Sequence, residues 1–264
     1  MTTLGSSLMV CRGNRLDYCW TEAIESVLPV SQQVAILLFS DDDLETFKEK
    51  FANEPKIILK KMTEADFDGR PGKERLPYFT NIARDMLTTE FHFNIQADEV
   101  LHEDCHWAVR AAIENPIAQA YAVQRRSTWG DAYHYINYPK MFATGRGGEL
   151  PCSEYVVRLA LRQYNSYGDA ESLEAPFTWE YKDAIRLFHA GFIRDRKKKT
   201  DHILHIQERV FDLGLHDPRT DADIRENGGA FRPYTRFSKS DLLPATEAPP
   251  KYLKQWIKDR TYND

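Results

Sequence analysis

Two short apolar runs, Leu8-Met9-Val10-Cys11 and Val34-Ala35-Ile36-Leu37-Leu38-Phe39, are bounded by polar residues, the pattern of strands buried on both faces of a parallel sheet. Between them Trp20, Ala23, Ile24 and Val27 recur at helical spacing, and Pro29 closes the helix they imply. A second helix is predicted from Asp43 to Phe51 and a third strand from Lys56 to Leu59, so the opening reads β-α-β-α-β. Gly, Pro and charge crowd Thr63 to Pro77, which reads as a surface loop, and a helix resumes at Asn81 to Leu87. Phe91 to Ile95 is predicted as a strand that releases Gln96-Ala97-Asp98-Glu99 into a loop, followed by a helix from Glu103 to Glu114.

Further on, strands are predicted at Ala120 to Gln124, Tyr155 to Leu161 and Ala184 to Phe188, with a basic helix from Arg194. An aromatic, irregular stretch from Trp129 to Phe142 interrupts them. The alternation implies an α/β fold with a mainly parallel central sheet flanked by helices, Rossmann-like in its first half. Beyond Gly214 the chain is polar and Pro-rich, with one amphipathic piece at Tyr252 to Ile257. One domain over residues 1–213 with a tail, 214–264, packing on it is the expected organisation.

Composition narrows the function classes. A length of 264 residues and a net charge of -5 suit one α/β domain and give no reason to expect a dedicated nucleic-acid or cationic membrane binder. No apolar run approaches the roughly 20 residues that cross a bilayer, and no charged segment leads into a signal-peptide core, so a cytoplasmic protein is expected. Cys11, Cys19, Cys105 and Cys152 fit neither a zinc ribbon nor a redox pair and read as reduced structural thiols.

In open α/β sheets ligands sit beyond the carboxyl ends of strands, where Asp98 and Glu99 stand. A carboxylate pair there can hold a hard divalent cation that also ligates a diphosphate, or can complement the dipole of the helix that follows. His102-Glu103-Asp104-Cys105-His106 matches the HExxH pattern of zinc hydrolases, but at a helix start and with no third ligand at the spacing such enzymes use.

Several segments in order then resemble family-two glycosyltransferases with the GT-A fold. Gln96 to Glu103 looks like their metal-binding loop, Tyr18 to Pro29 is similar to their first helix, and Thr80 to Arg84 to the helix before the metal strand. Tyr167-Gly168-Asp169-Ala170 and Phe188 to Arg194 look like two further family segments, so the resemblance spans Leu8 to Phe211.

The resemblance implies an inverting transfer from a nucleoside-diphosphate sugar, with Mn²⁺ or Mg²⁺ as cofactor. Asp98 would ligate the metal as the last acid of a DxD-type motif, and His189 would complete the site. Gln96, a donor-side candidate, stands where many relatives carry the first acid, which puts a direct nucleotide or metal role there in doubt. Asp169 sits at the place of the catalytic base, with Glu171 as substitute, because inversion needs a carboxylate to take the acceptor's proton. Arg12, Asp41 and Asp43 lie where the family grips the nucleoside, although the acids can equally cap a helix. Arg194 would reach the diphosphate, and Trp129 or Tyr133 could stack on an acceptor. The acceptor stays open among glycan, lipid-linked sugar, protein, metabolite and modified nucleobase. The competing classes are a nucleotidyltransferase and a non-catalytic nucleotide- or carbohydrate-binding module.

Overall fold

The structure is a computed structural model that describes residues 2–70, 72–128, 132–136, 155–167, 170, 172–174, 177–191, 193 and 242–258. The chain opens β1 (Leu4–Val10), α1 (Trp20–Val27), β2 (Gln33–Leu38), α2 (Asp41–Phe51) and β3 (Ile57–Lys61). Trp20, Ala23, Ile24 and Val27 of α1 are buried against strand residues such as Leu8, Val10 and Ile36, as their spacing predicts. Three acids fill the first turn of α2 and Lys48 and Lys50 its last, each matched to the helix dipole.

The segment Thr63 to Pro77, read from sequence as a loop, is largely helical instead: it holds α3 (Glu64–Asp68) and the start of α4 (Gly72–Asp85), whose last turn is the helix expected from Asn81. Thr63 Oγ1 accepts from the Asp66 amide while Asp66 accepts from the Thr63 amide, a capping box that starts a helix despite the nearby glycine and proline. Pro77 lies inside α4, which keeps its helix because Phe79 and Ala83 are buried with Phe39 and Phe67; the ring centroids of Phe39 and Phe79 are 4.9 Å apart. Burial of that aromatic cluster outweighs the local preference.

After β4 (Phe91–Asn94) comes β5 (Glu99–Leu101), a three-residue strand that the sequence pattern does not announce, then α5 (His106–Glu114). The remaining described elements are β6 (Ala120–Ser127), β7 (His134–Ile136), β8 (Tyr155–Leu161), β9 (Ser166–Tyr167), β10 (Ser172–Leu173), β11 (Trp179–His189) and β12 (Leu242–Pro244). Among the described residues the main sheet runs β3-β2-β1-β4-β8-β6-β11-β5. Neighbours are parallel from β3 to β4 and between β6 and β11, while β8 and β5 run against their neighbours. This is an α/β fold on a mixed, mostly parallel sheet flanked by helices. No described helix is long and apolar enough to cross a membrane.

The described part of the C-terminal segment packs on this body. β12 pairs with β7, and Leu253, Trp256 and Ile257 are buried with Val100, Phe188, Ala190 and Ile193. The predicted basic helix at Arg194 lies outside the described residues.

His92 on β4 is enclosed, with Nε2 3.0 Å from Ser7 Oγ. Burial, and then the positive charges of Arg84, Arg158 and Arg162, hold its pKa down to about 3. The unfolded chain takes up this proton near pH ~6.5 while the folded chain refuses it. The resulting stability is full above that pH and is lost as the pH falls toward the folded value. Between pH 7 and 5 the loss is about 2 kcal/mol. Denaturant titrations should show this drop in the wild type and a shallower one in His92→Gln; equal slopes would contradict the assignment.

Candidate functional site

The loop between β4 and β5 and the end of β11 are brought together by the antiparallel register of β5 on β11, in which Glu99 faces His189. Asp98 therefore sits beside Ala190, whose amide donates to the Asp98 carbonyl at 2.8 Å. The two side chains expected to share a metal converge: Asp98 Oδ2 lies 3.5 Å from His189 Nε2, with each side chain mostly enclosed. That separation is long for a charge-assisted hydrogen bond, which closes to about 2.7–2.9 Å.

Three further residues shape this spot. Ser127 Oγ lies 3.2 Å from His189 Nδ1, and the Thr128 amide and hydroxyl both donate to the His189 carbonyl. A tautomer whose Nδ1–H donates to Ser127 leaves the Nε2 lone pair facing the Asp98 carboxylate. Two electron-rich atoms then face one another, an arrangement that a cation reconciles. Gly191 keeps the spot open, since a Cβ there would stand 2.8 Å from both Asp98 Oδ2 and His189 Nε2.

Glu99 does not take part in a carboxylate pair with Asp98. Its side chain is fully buried and gripped by Arg158, with Nε to Oε2 at 2.9 Å and Nη2 to Oε1 at 2.8 Å. Burial pushes its pKa up, but the charge and hydrogen bonds of Arg158, with Arg125, outweigh that and hold it below the ordinary carboxylate range. Sequence reasoning missed Arg158 and Ser127. A charged residue inside the apolar run Val156-Val157-Arg158-Leu159-Ala160 is the signal that could have exposed the first; nothing local marks the second.

Arg12 is buried, its Nε 2.6 Å from Glu64 and its Nη2 2.7 Å from Asp68, so its guanidinium fastens the end of β1 to α3. Asp43 is buried and accepts from the amides of Gly13 and Asn14 at 2.8 Å each, which fixes the turn after β1. Asp41 is exposed and pairs with Lys61 at 3.0 Å. In the structure these three residues brace the strand ends through protein partners.

Gln96 lies at the loop entrance, where its amide donates to Glu99 Oε2 at 3.1 Å. Tyr133 is exposed, and its carbonyl accepts from the Ala245 amide at 2.7 Å. Trp129, Asp169, Glu171 and Arg194 lie outside the described residues. Ala170, between the two acids in sequence, is described: it is buried, with φ 64°.

The HExxH match does not form a zinc site. His102 Nδ1 accepts from the Asp104 amide and Nε2 lies 3.2 Å from the Ala248 carbonyl, while His106 Nε2 lies 3.0 Å from the Ser26 carbonyl. Glu103 accepts from the Lys251 amide at 3.0 and 3.1 Å, capping the 3-10 turn Lys251–Leu253. The motif thus anchors the C-terminal segment, helped by the pair Arg186–Glu247 at 2.7 Å. Glu103→Ala is expected to cost about 1 kcal/mol, the usual size of a lost cap, whereas a zinc chelator leaves the melting temperature unchanged. A chelator-induced fall in Tm would restore the zinc reading.

No family model matches this sequence, and none of the curated proteins does. Among solved structures the chain is similar to S. aureus TarS 1-349 in complex with UDP-GlcNAc, with 19% identity over 48% of this chain and 35% of that chain and a TM-score of 0.37. A second structure of S. aureus TarS 1-349 aligns at 12% identity over 79% of this chain and 66% of that chain, with a TM-score of 0.45. HddC from Yersinia pseudotuberculosis aligns at 6% identity over 70% of this chain and 93% of that chain, with a TM-score of 0.43. The match thus spans 35% to 66% of the TarS 1-349 chain in these two structures. Likenesses of this size leave the activity to be argued from the site itself.

Proposed function

We propose that the protein is a metal-dependent glycosyltransferase that moves a sugar from a nucleoside-diphosphate sugar to an acceptor hydroxyl with inversion. The observation that carries this reading is the convergence of Asp98 and His189, 3.5 Å apart, across an open spot kept by Gly191. A divalent cation fits that spot chemically. The donor set pairs a hard carboxylate oxygen with an imidazole nitrogen, which suits Mn²⁺ better than the all-oxygen preference of Mg²⁺. When bound, the cation supplies charge neutralisation to a departing diphosphate.

The chain's own groups do the rest. Ser127 orients the imidazole, Thr128 holds the backbone of His189, the Ala190 amide fixes the backbone of Asp98, and Asp43 shapes the turn at the carboxyl end of β1. Strand ends of this kind are where α/β sheets take nucleotides. Asp169, on the segment that resembles the family's base, would accept the acceptor proton, with Glu171 as substitute. Incubation with a panel of nucleotide sugars, with and without manganese, tests the reading. Manganese-dependent release of a nucleoside diphosphate from one donor supports it. Turnover only of a nucleoside triphosphate with a sugar phosphate, releasing pyrophosphate, would replace it with a nucleotidyltransferase.

A further inference from the structure

A buried tether joins the loop of Asp98 to Ala170, which stands between the two candidate bases in sequence. Glu99, next to Asp98, accepts from the Gln96 amide at 3.1 Å and from two nitrogens of Arg158. The third nitrogen of the same guanidinium, Nη1, donates to the Ala170 carbonyl at 2.6 Å, and Asn94 Nδ2 donates to that carbonyl at 3.2 Å. Arg158 stands on β8 and Glu99 on β5, strands that are not neighbours in the sheet. Both side chains are wholly enclosed, at 0% exposure.

Such a pair is a poor device for stability alone. Removing two charges from water costs several kcal/mol, and apolar residues of similar volume often serve packing as well or better. What the fork provides is geometry, because a planar guanidinium fixes two partners at set angles. Its second partner is a backbone carbonyl at φ 64°, a conformation alanine adopts only under tertiary constraint. The Ala170 amide in turn donates to the Tyr167 carbonyl at 3.1 Å.

We propose that Arg158 is a positioning residue that holds Ala170, the residue between Asp169 and Glu171 in sequence, in fixed register with the loop of Asp98. This rests on the glycosyltransferase reading for its functional meaning, and on the hydrogen bonds alone for the tether. Arg158→Lys keeps a charge against Glu99 but lacks the fork that reaches both partners. Asn94→Ala loosens Ala170 while leaving the Glu99 pair intact, and serves should the lysine variant fail to fold.

The test combines amide hydrogen exchange with steady-state kinetics on folded protein. Arg158→Lys should speed exchange at both Gln96 and Ala170, and Asn94→Ala at Ala170 alone. Both should lower kcat, by about 10- to 100-fold for Arg158→Lys, as for loss of an outer-shell partner, with donor KM within about threefold. A merely structural pair would lower Tm and leave kcat per folded molecule unchanged, which would overturn the proposal. Should the wild type transfer no sugar from any donor, the proposed function falls. Exchange then decides the tether separately: faster exchange at both amides upholds it, and unchanged protection at Gln96 in Arg158→Lys, or at Ala170 in Asn94→Ala, overturns it.

Discussion

Asp169→Asn is expected to slow sugar transfer by about 10² to 10⁴-fold while nucleotide affinity stays at the wild-type value. The amide is nearly isosteric with the carboxylate but cannot take a proton, so the loss belongs to the step in which the acceptor hydroxyl is deprotonated. Donor binding should be spared because Asp98 and His189, the groups proposed to hold the metal and diphosphate, come from the loop before β5 and the end of β11. Glu171→Gln separates the two carboxylates, which flank Ala170 in sequence. Full activity in Asp169→Asn with loss in Glu171→Gln would move the base two residues along. Full activity in both would remove this segment from the chemistry.

Asp98→Asn is expected to act on binding as well as rate. Loss of a direct ligand should weaken Mn²⁺-dependent nucleotide binding by at least the ~10- to 100-fold that loss of an outer-shell partner costs. The fold should persist, because Asp98 anchors the loop through its backbone carbonyl, which the substitution keeps. Ser127→Ala should weaken binding in the same sense but less, since the imidazole loses its orienting partner and not its ligand nitrogen. A variant Asp98→Asn that binds nucleotide and Mn²⁺ as tightly as the wild type would show that the carboxylate holds no metal.

The first half of the fold was legible because it is local. Apolar runs such as Val34 to Phe39 and the helical spacing of Trp20, Ala23, Ile24 and Val27 are direct consequences of burial. The helix at Glu64 and the first half of that from Gly72 were not, since glycine and proline speak against them locally and the aromatic packing of Phe39, Phe67 and Phe79 comes from distant positions. β5 is too short for any period to show.

The site divides the same way. The resemblance placed Asp98 and His189 in one site, and the register of β5 on β11 explains how they meet. The partnerships of Arg12, Asp43 and Glu99 could not be read from charge and position, because each depends on which backbone amide or side chain lies opposite in three dimensions. The HExxH match misleads for a related reason. A spacing of four records only that two histidines can face one way, whereas their rings meet the carbonyls of Ser26 and Ala248.

The most direct measurement is titration calorimetry of UDP, GDP, CDP, ADP and TDP against the wild-type protein, once with Mn²⁺ and once with chelator. A cation shared by Asp98, His189 and a diphosphate requires that at least one nucleotide bind about 10-fold or more tightly with the metal present, a difference of about 1.4 kcal/mol or more. Equal affinity with Mn²⁺ and with chelator for every nucleotide would contradict the metal-bridged site.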